Sequence, residues 1–330
     1  MALKVDLRVP VGLPVAETAA FIQRCEEAGF TGVGVHDHQH SGRDVYITLA
    51  LAAERTSRLL LYPATSNPVT RHPMVLASLA HTLEELAPGR IRLVLGPGFL
   101  SVANIGHPRA TLERMRHTIT SLRQLLAGES VLFGQTRSRL RNVTNPATPV
   151  YMTAAGPRMV ELAGEIADGV MLLVGLHPQA IAAAHRRLEA GARRSGRDLR
   201  QFPIIFITPI ALNSNEVDAR SWPQRWLTHG HPWISYPSKA NLHWLRKAGI
   251  DIPDDIQPEQ ISDNLANQIC DAFGLFGSPE ECAERLRRAV DETSIDHVFL
   301  FPAHTADGTY DMPKREVDAF QRVIRAWMKT

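Results

Sequence analysis

Short apolar runs of strand length alternate with longer helical patterns eight times along this chain of 330 residues. No other feature narrows the fold so far, because neighbouring parallel strands need a helical crossover between them. Strand-like runs fall at 5–9, 32–36, 59–64, 90–95, 150–153, 169–173, 203–212 and 296–302. Helical patterns occupy 14–28, 44–55, 73–86, 108–126, 157–166, 178–195 and, at the end, 314–329. Gly29 stops the first of them, and Leu112, Met115, Ile119, Leu122 and Leu126 form one apolar stripe on the fourth. Eight is the number of strands that closes a barrel, so the chain reads as a (β/α)₈ TIM barrel, one domain over 1–330. The rival is an open doubly wound sheet, whose first turn carries Gly-x-Gly-x-x-Gly. Here that turn is Pro10-Val11-Gly12-Leu13-Pro14.

Two stretches interrupt the rhythm. Residues 128–148 look like a hairpin excursion. Residues 213–277, between the seventh and eighth strands, are the largest insertion and hold Trp222, Trp226, Trp233 and Trp244, four of the five tryptophans. A barrel loop that long is usually functional, and it is expected to form helices roofing one side of the mouth. The helix after it opens on Ser278-Pro279-Glu280-Glu281, a capping box with proline at the first helical position. The 36 basic and 34 acidic residues nearly balance, which gives no global reason to expect nucleic acid. Cys25, Cys270 and Cys282 lack metal-ligand spacing and read as small buried apolar residues. The first residues have no apolar targeting core, and no stretch approaches the ~20 apolar residues of a membrane span. A cytoplasmic enzyme acting on a small molecule is the expectation.

Barrel chemistry sits on the loops that follow the strands. After the second strand comes His36-Asp37-His38-Gln39-His40. Continued strand alternation would put the three histidines on one face, which invites a metal reading, but no spaced carboxylate motif supports it. Acid–base or cofactor contact and an ordinary hydrogen-bonded histidine remain open. After the third strand, Ala64-Thr65-Ser66-Asn67-Pro68-Val69-Thr70-Arg71-His72-Pro73 fits either a turn capped by Thr70 or a wall that bonds a planar heterocycle. After the fourth, Gly96-Pro97-Gly98-Phe99 would let backbone approach a ligand closely, although a plain turn explains it too. After the fifth, Thr153-Ala154-Ala155-Gly156-Pro157-Arg158 leads into a helix N-terminus, a ready anion site with Arg158 beside it.

Taken together, Asp37-His38, Arg43-Asp44, the 66–73 run, Leu95-Gly96-Pro97-Gly98 and the long 149–170 segment resemble the bacterial-luciferase-like superfamily. The nearest subgroup is methylenetetrahydromethanopterin reductase and related deazaflavin enzymes. The resemblance spans nearly the whole chain and is weakest over 213–271. It implies a TIM barrel with insertions, and coenzyme F420 or FMN as cofactor, with the subgroup favouring F420. It places the ring against Ala64, Thr65, Ser66 and Asn67, with a non-proline cis peptide at Ala64–Thr65. Asp37, His38, Gly96, Pro97, Gly98 and Thr153 would touch the ring, and Ala154, Ala155, Gly156 and Arg158 would hold its phosphate. Where several deazaflavin enzymes carry an acid beside the glycine turn, this chain has Phe99-Leu100-Ser101.

The resulting expectation is hydride transfer between reduced deazaflavin and a C=N, C=C or C=O carbon, with His38 and Asp37 as catalytic residues. His36, His40, Phe99 and Trp233 would face the substrate, and the enzyme would be a homodimer. The alternatives are an FMN-dependent monooxygenase, a metal-dependent barrel hydrolase using the histidines, and a binding protein that has lost the chemistry.

Overall fold

The computed structural model describes residues 3–143, 146–214, 218–225, 239–304 and 307–327. Eight parallel strands are β1 (Lys4–Val9), β2 (Gly32–Val35), β3 (Leu60–Pro63), β4 (Leu93–Leu95), β5 (Val150–Ala154), β6 (Gly169–Leu172), β7 (Ile204–Leu212) and β8 (His297–Pro302). They pair in the order β3-β2-β1-β8-β7-β6-β5-β4. Isolated parallel bridges, Leu61 with Ile91 and Ser66 with Leu95, join the two ends and close the barrel. The expected TIM barrel is what the chain forms.

Strand alternation sorts the side chains. Leu7, Val9, Val33, Val35, Leu61 and Leu95 face outward into the main core beneath the helices. Tyr62, Val94, Tyr151, Met171, Ile205 and Phe299 fill the barrel interior. Glycine makes that filling possible at Gly34, where a Cβ would come within 2.7 Å of the Tyr62 and Phe299 rings. Asp6 accepts the Tyr62 hydroxyl at 2.6 Å inside the same space.

The crossover helices are α1 (Val15–Ala28), α2 (Val45–Arg55), α3 (Pro73–Leu86), α4 (Leu112–Leu126), α5 (Pro157–Ile166), α6 (Pro178–Ser195), α7 (Pro279–Thr293) and α8 (Lys314–Ala319). The capping box of α7 forms between Ser278 and Glu281. A hairpin, Val131–Phe133 with Thr136–Ser138, occupies the 128–148 excursion. No described helix is long and apolar enough to cross a membrane.

Three expectations need correction. The fourth helical pattern does not start at 108. Thr111 caps α4, and the Ala110 N–H donates to the Pro97 carbonyl at 2.7 Å, which holds the preceding loop against the glycine turn. The last helix does not run uniformly, because a π-helical turn, Phe320–Ile324, follows α8 and stacks Phe320 on Phe30. The insertion is not wholly helical. Its end, Leu275–Gly277, is a ninth strand on Ile210–Leu212, where β7 outlasts its neighbours and has backbone left to pair. The remainder contributes helices Lys239–Lys247 and Asp263–Phe273 around a small core of its own that includes Leu242, Ile252, Ile269 and Phe273. Trp226 and Trp233 lie outside the described residues.

Candidate active site

The carboxyl ends of the strands surround a cavity of about 730 Å³. Its walls include His36 and Asp37 after β2, Ala64 and Thr65 after β3, Gly96, Pro97, Gly98 and Phe99 after β4, and Thr153 to Arg158 after β5. Most residues singled out in the sequence are therefore brought together. One side of the cavity is nearly flat backbone. A Cβ on Gly96 would lie 2.7 Å from Thr153 Oγ1 and 2.8 Å from Thr65 Oγ1, so only glycine fits between those hydroxyls. Gly98 has φ +83°, a left-handed conformation, and turns the chain away from the wall. The Ala64–Thr65 peptide is cis, as the resemblance implied.

Next to this wall the chain enters α5. Proline at the first helical position brings no N–H, the Met159 and Val160 N–H groups both turn back to the Gly156 carbonyl at 3.0 Å, and the Arg158 N–H opens the helix without an intrahelical acceptor. Nothing lies within 4 Å of the position a Gly156 Cβ would take, and Arg158 lines the same region. A flat wall of Ala64, Thr65, Gly96 and Thr153 beside an anion cradle at Ala155, Gly156 and Arg158 fits a planar ring that carries a phosphate.

Among the described residues Asp37 is the only acid in the cavity wall, and it is engaged. Arg71 Nη1 donates to its Oδ2 at 2.5 Å, Ser66 Oγ to the same oxygen at 2.6 Å, and Gln39 Nε2 to Oδ1 at 2.7 Å. Burial pushes its carboxyl above the ordinary aspartate range, and Arg71 and Ser66 oppose that shift. Arg71 also pairs with Asp44 at 2.7 Å, while Asp44 caps α2 through Tyr46 N and Ile47 N. Tyr46 closes the circuit by bonding Ser66 at 2.8 Å. So Ser66 works behind the wall, not in it. Asn67 does too: its Oδ1 accepts from the backbones of Val69 and Thr70 and shapes the turn. The cap of α3 is His72, not Thr70.

The three histidine rings follow one another, His36 to His38 at 5.0 Å and His38 to His40 at 6.0 Å, but of the three only His36 reaches the cavity wall. β2 ends at Val35, so the alternation that would align them does not continue, and His40 sits exposed in a 3₁₀ turn. His36 lines the cavity. Arg8 Nη2 donates to its Nδ1 at 3.1 Å, and since arginine only donates, the neutral ring carries its proton on Nε2. Burial brings Arg8 down to about 10. His38 is buried behind His36, the ring centroids 5.0 Å apart. Its Nδ1 bonds Tyr310 Oη and its Nε2 meets Asn104 Nδ2 at 3.1 Å. It is not among the wall residues. Among the described residues no His, Cys, Asp and Glu group is arranged to hold a metal.

Several wall residues escaped sequence reasoning. Arg109 arrives on the loop pinned by Ala110, Leu112 in the first turn of α4, Phe301 at the end of β8, and Asn241 from the insertion. The insertion is fastened there by Trp244, whose Nε1 donates to the Ala155 carbonyl at 2.5 Å. The tryptophan content signalled this reach; nothing local to Arg109 or Asn241 did.

With this geometry in view, comparison with known proteins is informative. The sequence profile of the family described as luciferase-like monooxygenase matches residues 4–297. A 5,10-methylenetetrahydromethanopterin reductase from Methanolobus tindarius is 29% identical over 84% of this chain and 88% of its own length. An F420-dependent glucose-6-phosphate dehydrogenase from Beutenbergia cavernae is 27% identical over 86% of each chain. Among solved structures, the coenzyme F420 dependent tetrahydromethanopterin reductase from Methanopyrus kandleri superposes with a TM-score of 0.76 at 21% identity, covering 99% of this chain and 100% of that one, which is a likeness of fold.

Proposed function

Because the chain belongs to the luciferase-like monooxygenase family, we propose that it is a coenzyme F420-dependent oxidoreductase acting on an organic substrate. The observation that carries this is the flat wall next to an anion cradle, found in a chain whose relatives include F420-dependent enzymes over more than four-fifths of its length. Thr65, Gly96, Gly98 and Thr153 would hold the ring, and Ala155, Gly156 and Arg158 the phosphate. The deazaflavin, when bound, supplies or accepts a hydride at a C=N, C=C or C=O carbon. The chain's own work is to orient the reactants and exclude water. Apolar Met171, Ile207 and Phe299 close the floor of the cavity against solvent.

For proton transfer, His36 is better placed than His38, since it faces the cavity and holds its proton on Nε2 while Arg8 fixes the ring. The stacked His38–Tyr310 pair supports it from behind. His36→Gln should lower kcat by about 10²-fold or more and remove one limb of the pH–rate profile. If His38→Gln alone removes that limb, the assignment belongs to His38.

The test of the cofactor is a fluorescence titration of the purified protein with F420 and, separately, FMN. Preferential binding of FMN would overturn the F420 reading and favour a monooxygenase using reduced flavin and oxygen, the activity for which the family is described. Ile47 and Leu51 on α2 and Val75 on α3 are exposed apolar residues that support a homodimer, to be checked by light scattering. Three buried cysteines agree with a reducing cytoplasm.

A further inference from the structure

One cation in the cavity wall has no role in the scheme above. Arg109 lies on the loop that Ala110 pins to the Pro97 carbonyl, which sets it over the glycine turn. Its guanidinium carbon stands 3.8 Å from the centroid of the Phe99 ring. Among the described residues it makes no hydrogen bond and no ion pair, and Asp37, the one acid of the wall, is held by Arg71. Partial burial lowers its pKa, with no carboxylate nearby to restore it. An arginine stacked on an aromatic face keeps its in-plane N–H fork available for a carboxylate or phosphate. The same cavity wall carries apolar Leu100, Leu112, Met159 and Phe301. Arg158, at the start of α5, is a separate cation on the phosphate side.

We propose that Arg109, braced on Phe99, is the substrate-recognition residue for an oxyanion, so that this enzyme acts on organic anions that carry an apolar body. The assignment of Arg109 to substrate and not cofactor rests on the ring-and-phosphate placement given above. Phe99 then has a purpose beyond filling space: it orients the guanidinium, and its ring packs against the apolar part of the substrate.

The test uses three probes of one shape: 2-naphthoate, 2-naphthyl phosphate and the neutral 2-naphthamide. Each is titrated calorimetrically into F420-loaded protein, into Arg109→Ala and into Arg109→Lys, with F420 affinity measured for all three proteins. One or both anions should bind about tenfold tighter than the amide, and which of the two wins identifies the oxyanion. Arg109→Ala should erase that preference and leave F420 affinity within about twofold, while Arg109→Lys retains part of it. Equal binding of the amide would overturn the proposal. So would a loss of F420 affinity in Arg109→Ala, which would assign Arg109 to the cofactor. If the wild-type protein does not bind F420 at all, the cofactor reading fails by itself, and the same anion-to-amide ratio is read on the cofactor-free protein.

Discussion

At residue scale, the buried carboxylates give the clearest consequences. Glu26, in the last turn of α1, accepts the backbone N–H groups of Ser57, Arg58 and Leu59 at 2.8 to 3.0 Å and thereby fixes the entry to β3. Burial pushes its carboxyl up, but those three donors and Arg58 bring it below the usual glutamate value. A depressed folded pKa stabilises the fold above the unfolded value of about 4.3, and the gain disappears as pH falls through the folded value. Glu26→Gln should cost about 1–3 kcal/mol at neutral pH. The gap in Tm between the two proteins should hold down to about pH 5 and close below about pH 4. A gap that persists in strong acid would contradict the account. Asp37 makes a different case, because removing its charge leaves Arg71, with a side chain only 12% exposed, joined to Asp44 alone. Asp37→Asn should cost about 3 kcal/mol, and adding Arg71→Met should recover part of it in urea denaturation. Strict additivity of the two substitutions would rule out the coupling.

Elements meet most tightly where α5 crosses α6. A Cβ on Gly164 would stand 2.1 Å from the Leu188 carbonyl oxygen, and one on Gly191 would stand 1.8 Å from that of Glu161. Backbone cannot yield as a flexible side chain can, so the helices would have to separate. Gly191→Ala should destabilise by about 1–3 kcal/mol although alanine is the better helix former, which differential scanning calorimetry would register. A neutral or stabilising outcome would mean that the helices are free to slide. These two glycines were invisible as contacts in the sequence, where they looked like ordinary small residues within helical patterns. The start of α7 was legible because a capping box is local chemistry spelled out at Ser278 and Glu281. The strand Leu275–Gly277 was not, because its existence depends on the free edge that β7 leaves beyond its neighbours.

For the whole molecule, the cavity is where the fold and the function coincide. Its walls come from β2 through β8 or the loops leaving them, with residues from His36 to Phe301, and β1 reaches it through Arg8 behind His36. That dispersion explains what sequence reading could recover. Thr65, Gly96 and Gly156 stand directly after strands, where periodicity locates them, whereas Arg109 and Asn241 are delivered by a loop contact and by an insertion whose docking depends on Trp244. It also makes binding a property of the closed barrel, because unfolding any strand removes part of the wall. F420 at about 100 times its Kd should add about 2.7 kcal/mol to stability. For a chain of this length that corresponds to a rise in Tm of roughly 4 °C. The insertion should melt in the same transition, since Trp244 ties it to the Ala155 carbonyl at the phosphate cradle. A calorimetric scan in which F420 shifts only one of two resolved transitions would show that the insertion and the barrel are separate folding units, and Trp244→Phe should then leave the barrel transition where it was.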